Sequence, residues 1–151
     1  MANLTLRTAR PADADALSAL IVRTLHVSNL PDYGEENVAR VAANFTPELI
    51  RSYMARWTMF VAEQDGTLIG TASHFEGSAR AVFVDPDVQR SGAGRALMEA
   101  VIDQARREGD TALTLRASLA AVPFYTALGF ASGRDLWNGT ERTVEMSRPL
   151  S

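Results

Sequence analysis

The sequence predicts a mixed α/β fold in which a mostly antiparallel central sheet carries helices on both faces. Three observations predict it. Strand-like runs joined at Asp65-Gly66 and Asn138-Gly139 read as hairpins, which pair antiparallel. A strand, helix and strand from Val82 to Ala117 imply one crossover connection in the same sheet. Apolar residues at helical spacing recur before, between and after the strands, enough to cover two faces. The outline order is β-α-α-β-β-β-α-β-α-β-β. A chain of 151 residues, 46% of them apolar, reads as a single domain over 1–151.

Each element has its own signal. Leu4 to Arg7 alternates as a short strand. Pro11, Asp13 and Asp15 suit a first helical turn, and Leu17, Leu20, Ile21 and Leu25 form one stripe behind them. Ser28 to Gly34 is expected as a loop from its turn residues. Val38, Val41, Ala42 and Phe45 make a second stripe, and Thr46-Pro47-Glu48 caps a further helix carrying Leu49, Ile50, Tyr53 and Met54. Thr58–Glu63, Leu68–Phe75 and Arg80–Val84 are successive strands with turns between them. Leu97, Met98, Val101, Ile102 and Ala105 then line one side of a helix that Gly109 closes. Thr111–Ala117 alternates as a strand, Val122–Leu128 is a short helix, and a last hairpin spans Ser132 to Met146.

Composition bounds the function. With 15 basic and 18 acidic residues the formal charge is −3, which argues against a nucleic-acid partner, since such binding needs a basic face. There is no cysteine, so disulfides and thiolate chemistry are excluded. His26 and His74 have no metal-ligand spacing, and no metal is expected. No apolar run approaches membrane-spanning length and the first residues carry no secretory pattern, so a cytoplasmic setting without a membrane partner is expected.

The chain is organised around VFVDPDVQRSGAGRAL, Val82 to Leu97. A strand passes through a turn into a helix whose first residues are nearly free of side chains. The N–H groups at such a start attract anions, glycines let a phosphate touch the backbone, and Arg90 and Arg95 add full charges. The spacing fits neither GxxxxGK[ST] nor GxGxxG, because Leu97 stands where the third glycine would be. Gln89-x-x-Gly92-x-Gly94 following V-x-P resembles the acyl-CoA loop of the GCN5-related N-acetyltransferases. FYxxLGF, Phe124 to Phe130, is similar to that family's second motif and follows after one helix and one strand, as it should.

The resemblance implies an acyl-CoA-dependent N-acyltransferase, with acetyl-CoA as cosubstrate and a small-molecule or peptide amine as acceptor. Val82, Phe83 and Val84 should pair with the pantetheine arm. Gln89, Arg90, Ser91, Gly92, Ala93, Gly94 and Arg95 should hold the diphosphate. Ser118, Ala121 and Phe124 should flank the arm, and Tyr125 should protonate the departing thiolate. Homodimers are frequent in that family. A catalytically inactive CoA-binding sensor or interaction module of the same fold is the alternative reading.

The chemistry needs more than these residues. A thiol has a pKa near ~8.5 and a tyrosine near ~10, so a phenol within reach can donate to a thiolate. An alkyl amine of pKa ~10.4 requires about 4 to 5 kcal/mol for deprotonation at neutral pH, which calls for a base. The family often places a glutamate on the strand before the glycine loop, but here that strand reads Arg80-Ala81-Val82-Phe83-Val84. Glu76 and His74 are the nearest candidates, acting directly or through water. Tyr33, Trp57 and Trp137 are candidates for the acceptor pocket.

Overall fold

The computed structural model describes residues 4–88 and 91–150. Seven strands form one sheet: β1 (Leu4–Thr8), β2 (Thr58–Gln64), β3 (Thr67–Phe75), β4 (Ser78–Val84), β5 (Ala112–Ala117), β6 (Ala131–Asn138) and β7 (Glu141–Pro149). Their order across the sheet is β1-β2-β3-β4-β5-β7-β6. All neighbours are antiparallel except β4 and β5, which run parallel. That one parallel pair is the crossover, and the helix that makes it is α5 (Ala93–Arg107).

Helices cover both faces. α1 (Ala14–Thr24), α3 (Glu35–Ala42) and α4 (Pro47–Met54) pack on one side, where Leu17, Ile21, Val38 and Ile50 meet Met59 and Val61 of β2. On the other side α5 presents Leu97, Met98, Val101 and Ala105 to Ala62, Ile69 and Ala72, and the short α6 (Val122–Ala127) adds Tyr125. Each helix shows the stripe its sequence carries, and α4 has Thr46 as its cap, with Oγ1 accepting from the Leu49 amide at 3.2 Å.

One connection differs from expectation. Ser28 to Gly34 is helical to its end: α1 widens into a π-helical turn, Leu25–Asn29, and continues as α2 (Leu30–Tyr33) up to Gly34. Pro31 stops neither, because it sits in the first turn of α2, where its missing N–H has no helical acceptor to serve. Gly34, at φ 81°, then reverses the chain into α3.

The parallel pair sets up everything that follows. β4 and β5 share a single registered pair, Ser78 with Thr114, supported by the Thr114 amide donating to Gly77 O at 2.9 Å. Beyond it, among the described residues, no further pair joins them. β4 is also irregular here, with a register shift against β3 and Ala81 at φ 51°. A bulge of this kind bends and twists a strand. The sheet therefore opens into a V whose arms are the C-terminal halves of β4 and β5.

His74 lies at the opposite end of α5 from Gly92. Its ring is buried, with Nε2 2.6 Å from Asp110 Oδ2 and Nδ1 3.1 Å from Glu108 Oε2. It fastens the α5–β5 connection to the sheet. His74→Ala should therefore lower unfolding free energy by about 1–3 kcal/mol in denaturant melts and leave turnover of the folded protein unchanged. Lost turnover at unaltered stability would contradict this structural role.

Candidate active site

A cleft of about 1020 Å³ fills the opening of the V. Its floor is Ala79 and Ala81–Val84 of β4 with Leu115 and Arg116 of β5. One wall is the helical passage from α1 to α2, through Thr24, Leu25, Asn29 and Tyr33. The other is the start of α5 with Ser118, Ala121, Phe124 and Tyr125. Glu141 and Thr143 of β7 close one end.

The glycine loop is held from outside. Arg23 of α1 donates to Asp85 Oδ1 at 2.8 Å and also pairs with Asp87, while the Asp87 amide turns back onto Asp85 Oδ1 at 2.9 Å. Asp85 N in turn donates to Ile69 O at 2.7 Å, so the turn after β4 is fastened to both the sheet and α1. Gln89 and Arg90 lie outside the described residues. Ser91 N donates to Val88 O at 3.2 Å, and Ala93 N donates to Ser91 Oγ at 3.3 Å. Ser91 and the buried side chain of Ala93 thus shape the helix start and do not line the cleft. Gly92 has φ 89°, a left-handed conformation that favours glycine, and a Cβ there would meet open space. Gly94 and Arg95 line the cleft from the first turn of α5, where an amide has no acceptor at i−4 inside the helix. This end is positive by geometry and by the Arg95 guanidinium.

The two motifs touch. A Cβ on Gly94 would come within 3.2 Å of Phe124 Cζ, so the Phe124 ring lies against the helix start. Tyr125 is packed edge-on between Phe124 and Phe130, at centroid distances of 5.1 and 5.8 Å. Its residue is only 6% exposed. Burial, and secondarily the neighbouring Tyr33 phenol, push its pKa well above the ordinary tyrosine range. Tyr33 reaches into the cleft from α2, and its pKa is pushed up to about 12 by burial and by the Glu141 charge.

The structure brings Val82, Phe83, Val84, Gly92, Gly94, Arg95, Ser118, Ala121, Phe124, Tyr125 and Tyr33 into one cleft. Besides Ser91 and Ala93, four expected residues stand elsewhere. Glu76 is exposed at the β3–β4 turn, and His74 faces Asp110, as above. Trp57 is stacked on Tyr53 at 4.3 Å with Arg80 over its face, because its place at the end of α4 turns it into the α4 side of the sheet. Trp137 is 65% exposed on the edge strand β6.

Glu141 is the carboxylate the sequence reading missed. It is 9% exposed, lines the cleft and pairs with Arg40 of α3. Arg40 also donates to Asn138 O at 3.4 Å, and Asn37 Nδ2 donates to Thr140 Oγ1 at 2.7 Å and to Tyr33 O at 2.8 Å. α3 thereby straps the β6–β7 turn across the end of the cleft. Glu141 follows Asn138-Gly139 without any motif of its own, so only the tertiary fold, which brings α3 to this turn, reveals it.

The chain matches the acetyltransferase (GNAT) domain family over residues 29–139. It is 26% identical over 130 residues, 86% of this chain and 83% of the other, to the uncharacterized N-acetyltransferase YafP of Escherichia coli (strain K12). In structure it resembles a GCN5-related N-acetyltransferase from Rhodopseudomonas palustris, with a TM-score of 0.88 at 24% identity over 99% of this chain and 98% of that one. It also resembles the PaiA N-acetyltransferase of Thermoplasma acidophilum, solved in complex with coenzyme A, with a TM-score of 0.84 at 16% identity over 97% and 99% of the two chains.

The buried phenol gives a pH signature. An unfolded tyrosine ionises near pH ~10, whereas Tyr125 in the fold holds its proton higher. Its contribution to stability is therefore complete below pH ~10 and lost as pH rises through its folded value. Above pH ~10 the unfolding free energy should fall more steeply for the wild type than for Tyr125→Phe, followed by denaturant melts. Ultraviolet titration should show Tyr125 resisting ionisation until the fold opens; native ionisation at the ordinary tyrosine value would contradict the burial argument.

Proposed function

The chain belongs to the acetyltransferase (GNAT) family, and from that premise we propose that it transfers acetyl from acetyl-CoA to a primary amine by direct attack in a ternary complex. The observation that carries this is the joining, in one cleft, of an amide-lined helix start at Gly94–Arg95 and a buried phenol at Tyr125. The residues present suit the cosubstrate. The helix start offers N–H groups and Arg95 to a diphosphate, and Gly92 leaves its approach open. β4 and β5 share only the Ser78–Thr114 pair, and the slot between their C-terminal arms suits an extended, amide-bearing arm.

The chain's own residues then have distinct tasks. Ser118, Ala121 and Phe124 form the side of the slot and keep it dry. Tyr125, kept protonated by its burial, donates a hydrogen bond to the sulfur as negative charge develops there. The amine nitrogen bonds to the thioester carbon, the C–S bond breaks, the sulfur takes the phenolic proton, and the proton that nitrogen gives up returns through water to the Tyr125 oxygen. Glu141 is the carboxylate placed to attract the incoming ammonium group, at the opposite end from Arg95. Glu141 is held by Arg40, and in this reading it orients the acceptor while water relays the nitrogen's proton. Glu76 and His74 have no part in it.

Two experiments test this. With a panel of amines and acetyl-CoA, free thiol should appear above background for at least one acceptor; its absence throughout would favour the inactive CoA-binding alternative. For that acceptor, Tyr125→Phe should reduce turnover by about ten-fold or more with CoA affinity nearly intact. An unchanged rate would remove Tyr125 from the mechanism.

A further inference from the structure

The cleft carries one charge that none of the steps above uses. Arg116 of β5 lines it and is exposed there. Strand alternation fixes the face to which it belongs. Leu113, Leu115 and Ala117 are buried in the core that α5 covers, so Thr114 and Arg116 stand on the opposite face. Arg116 is registered with Glu145 of β7, and by the same alternation Glu145, Thr143 and Glu141 share its face. Glu141 is tied to Arg40 of α3, so this face looks toward α3. Tyr125 belongs to the α5 core, and Gly94 and Arg95 to the start of α5 itself. The cosubstrate in the reading above therefore takes the α5 side, and Arg116 stands with Glu141 on the acceptor's side. The other charges in the cleft have partners: Arg95 bonds Glu99 at 3.2 Å, and Glu141 pairs with Arg40. Glu145, across the ladder from Arg116, faces Arg134 at 3.4 Å. Arg116 has no ion pair or side-chain hydrogen bond among the described residues. Its guanidinium is permanently charged and presents a planar fork of donors that matches a carboxylate.

We propose that the acceptor is an amino acid, its ammonium group drawn to Glu141 and its carboxylate held by Arg116. The inference rests on the acetyl-transfer reading of the cleft and names the acceptor for it. An amine without an acid leaves Arg116 unanswered, and a diamine or polyamine brings a second cation against it. Glu141 lies four residues along β7 from the position opposite Arg116. That is about 13 Å of strand, part of which two long side chains span. α-Amino acids and ω-amino acids share the required chemistry and differ in the distance between their charges. Transfer converts the ammonium nitrogen to a neutral amide and leaves the carboxylate untouched. The product therefore keeps its hold on Arg116 and loses its attraction to Glu141, which favours release.

Thiol release by the full chain, with acetyl-CoA and matched acceptors, tests this directly. Leucine is compared with leucinamide, and ε-aminocaproate with pentylamine and cadaverine. In at least one set kcat/KM should favour the acid by about ten-fold or more, the discrimination expected of a charge-assisted hydrogen bond to a carboxylate. The set with the larger ratio tells α- from ω-amino acids. Arg116→Gln should raise KM for the favoured acid by about ten-fold, with a much smaller change in kcat, and erase most of the preference. Arg116→Lys should restore part of it. Acceptors without a carboxylate that match or outrun their acids in both sets, or a preference surviving in Arg116→Gln, would overturn the assignment and leave acetyl transfer standing. A parallel loss of CoA affinity in Arg116→Gln would give Arg116 to the cosubstrate and overturn it as well. Absence of thiol release with every amine tried would overturn both readings.

Discussion

The parting of β4 from β5 is the constraint on which the rest of this molecule depends. A sheet with complete ladders buries its backbone groups and offers no interior site. Here one parallel pair, Ser78 with Thr114, is made, and the bulged strand around Ala81 then swings away. The gap is kept open by what packs around it. α5 pins the β3 side from one face, α1 with α4 covers the other, and the β6–β7 hairpin is tied back by Arg40 and Asn37. Two separate apolar cores therefore brace a slot that neither of them fills.

The slot has polarity along its length. The start of α5 and Arg95 make one end positive, and Glu141 makes the other negative. Between them lie two phenols whose protons are held more tightly than usual by burial. In the proposed reaction an anionic cosubstrate and a cationic acceptor take opposite ends, and their reacting atoms meet at Tyr125. The ties are mostly outside the slot: Arg23 holds the turn after β4, and Arg40 holds Glu141. The Arg23 pairs, exposed to solvent, contribute little to stability individually, so their value lies in placement.

Much of this was readable in the residues themselves. Period and turn signals located every strand, the crossover helix and its core face, because Leu97, Met98, Val101 and Ala105 repeat at helical spacing and Asp65-Gly66 and Asn138-Gly139 admit tight hairpins. The glycine loop and FYxxLGF fell together on one wall of the cleft because both depend on local backbone form. What stayed hidden depends on contacts distant in sequence. Ser28 to Gly34 has turn composition but continues the helical path of α1 up to Gly34. His74 and Glu76 stand near the loop in sequence, yet the alternation of β3 sends His74 toward Asp110 and the tight turn leaves Glu76 in solvent. Glu141 acquires its place only when α3 meets the last hairpin.

The most direct measurement is a crystal structure of the chain with acetyl-CoA bound. The account places diphosphate oxygens about 3 Å from the Gly94 and Arg95 amides and the thioester sulfur within hydrogen-bond reach of the Tyr125 hydroxyl. A diphosphate seated away from the start of α5, or a thioester lying outside the gap between β4 and β5, would contradict it.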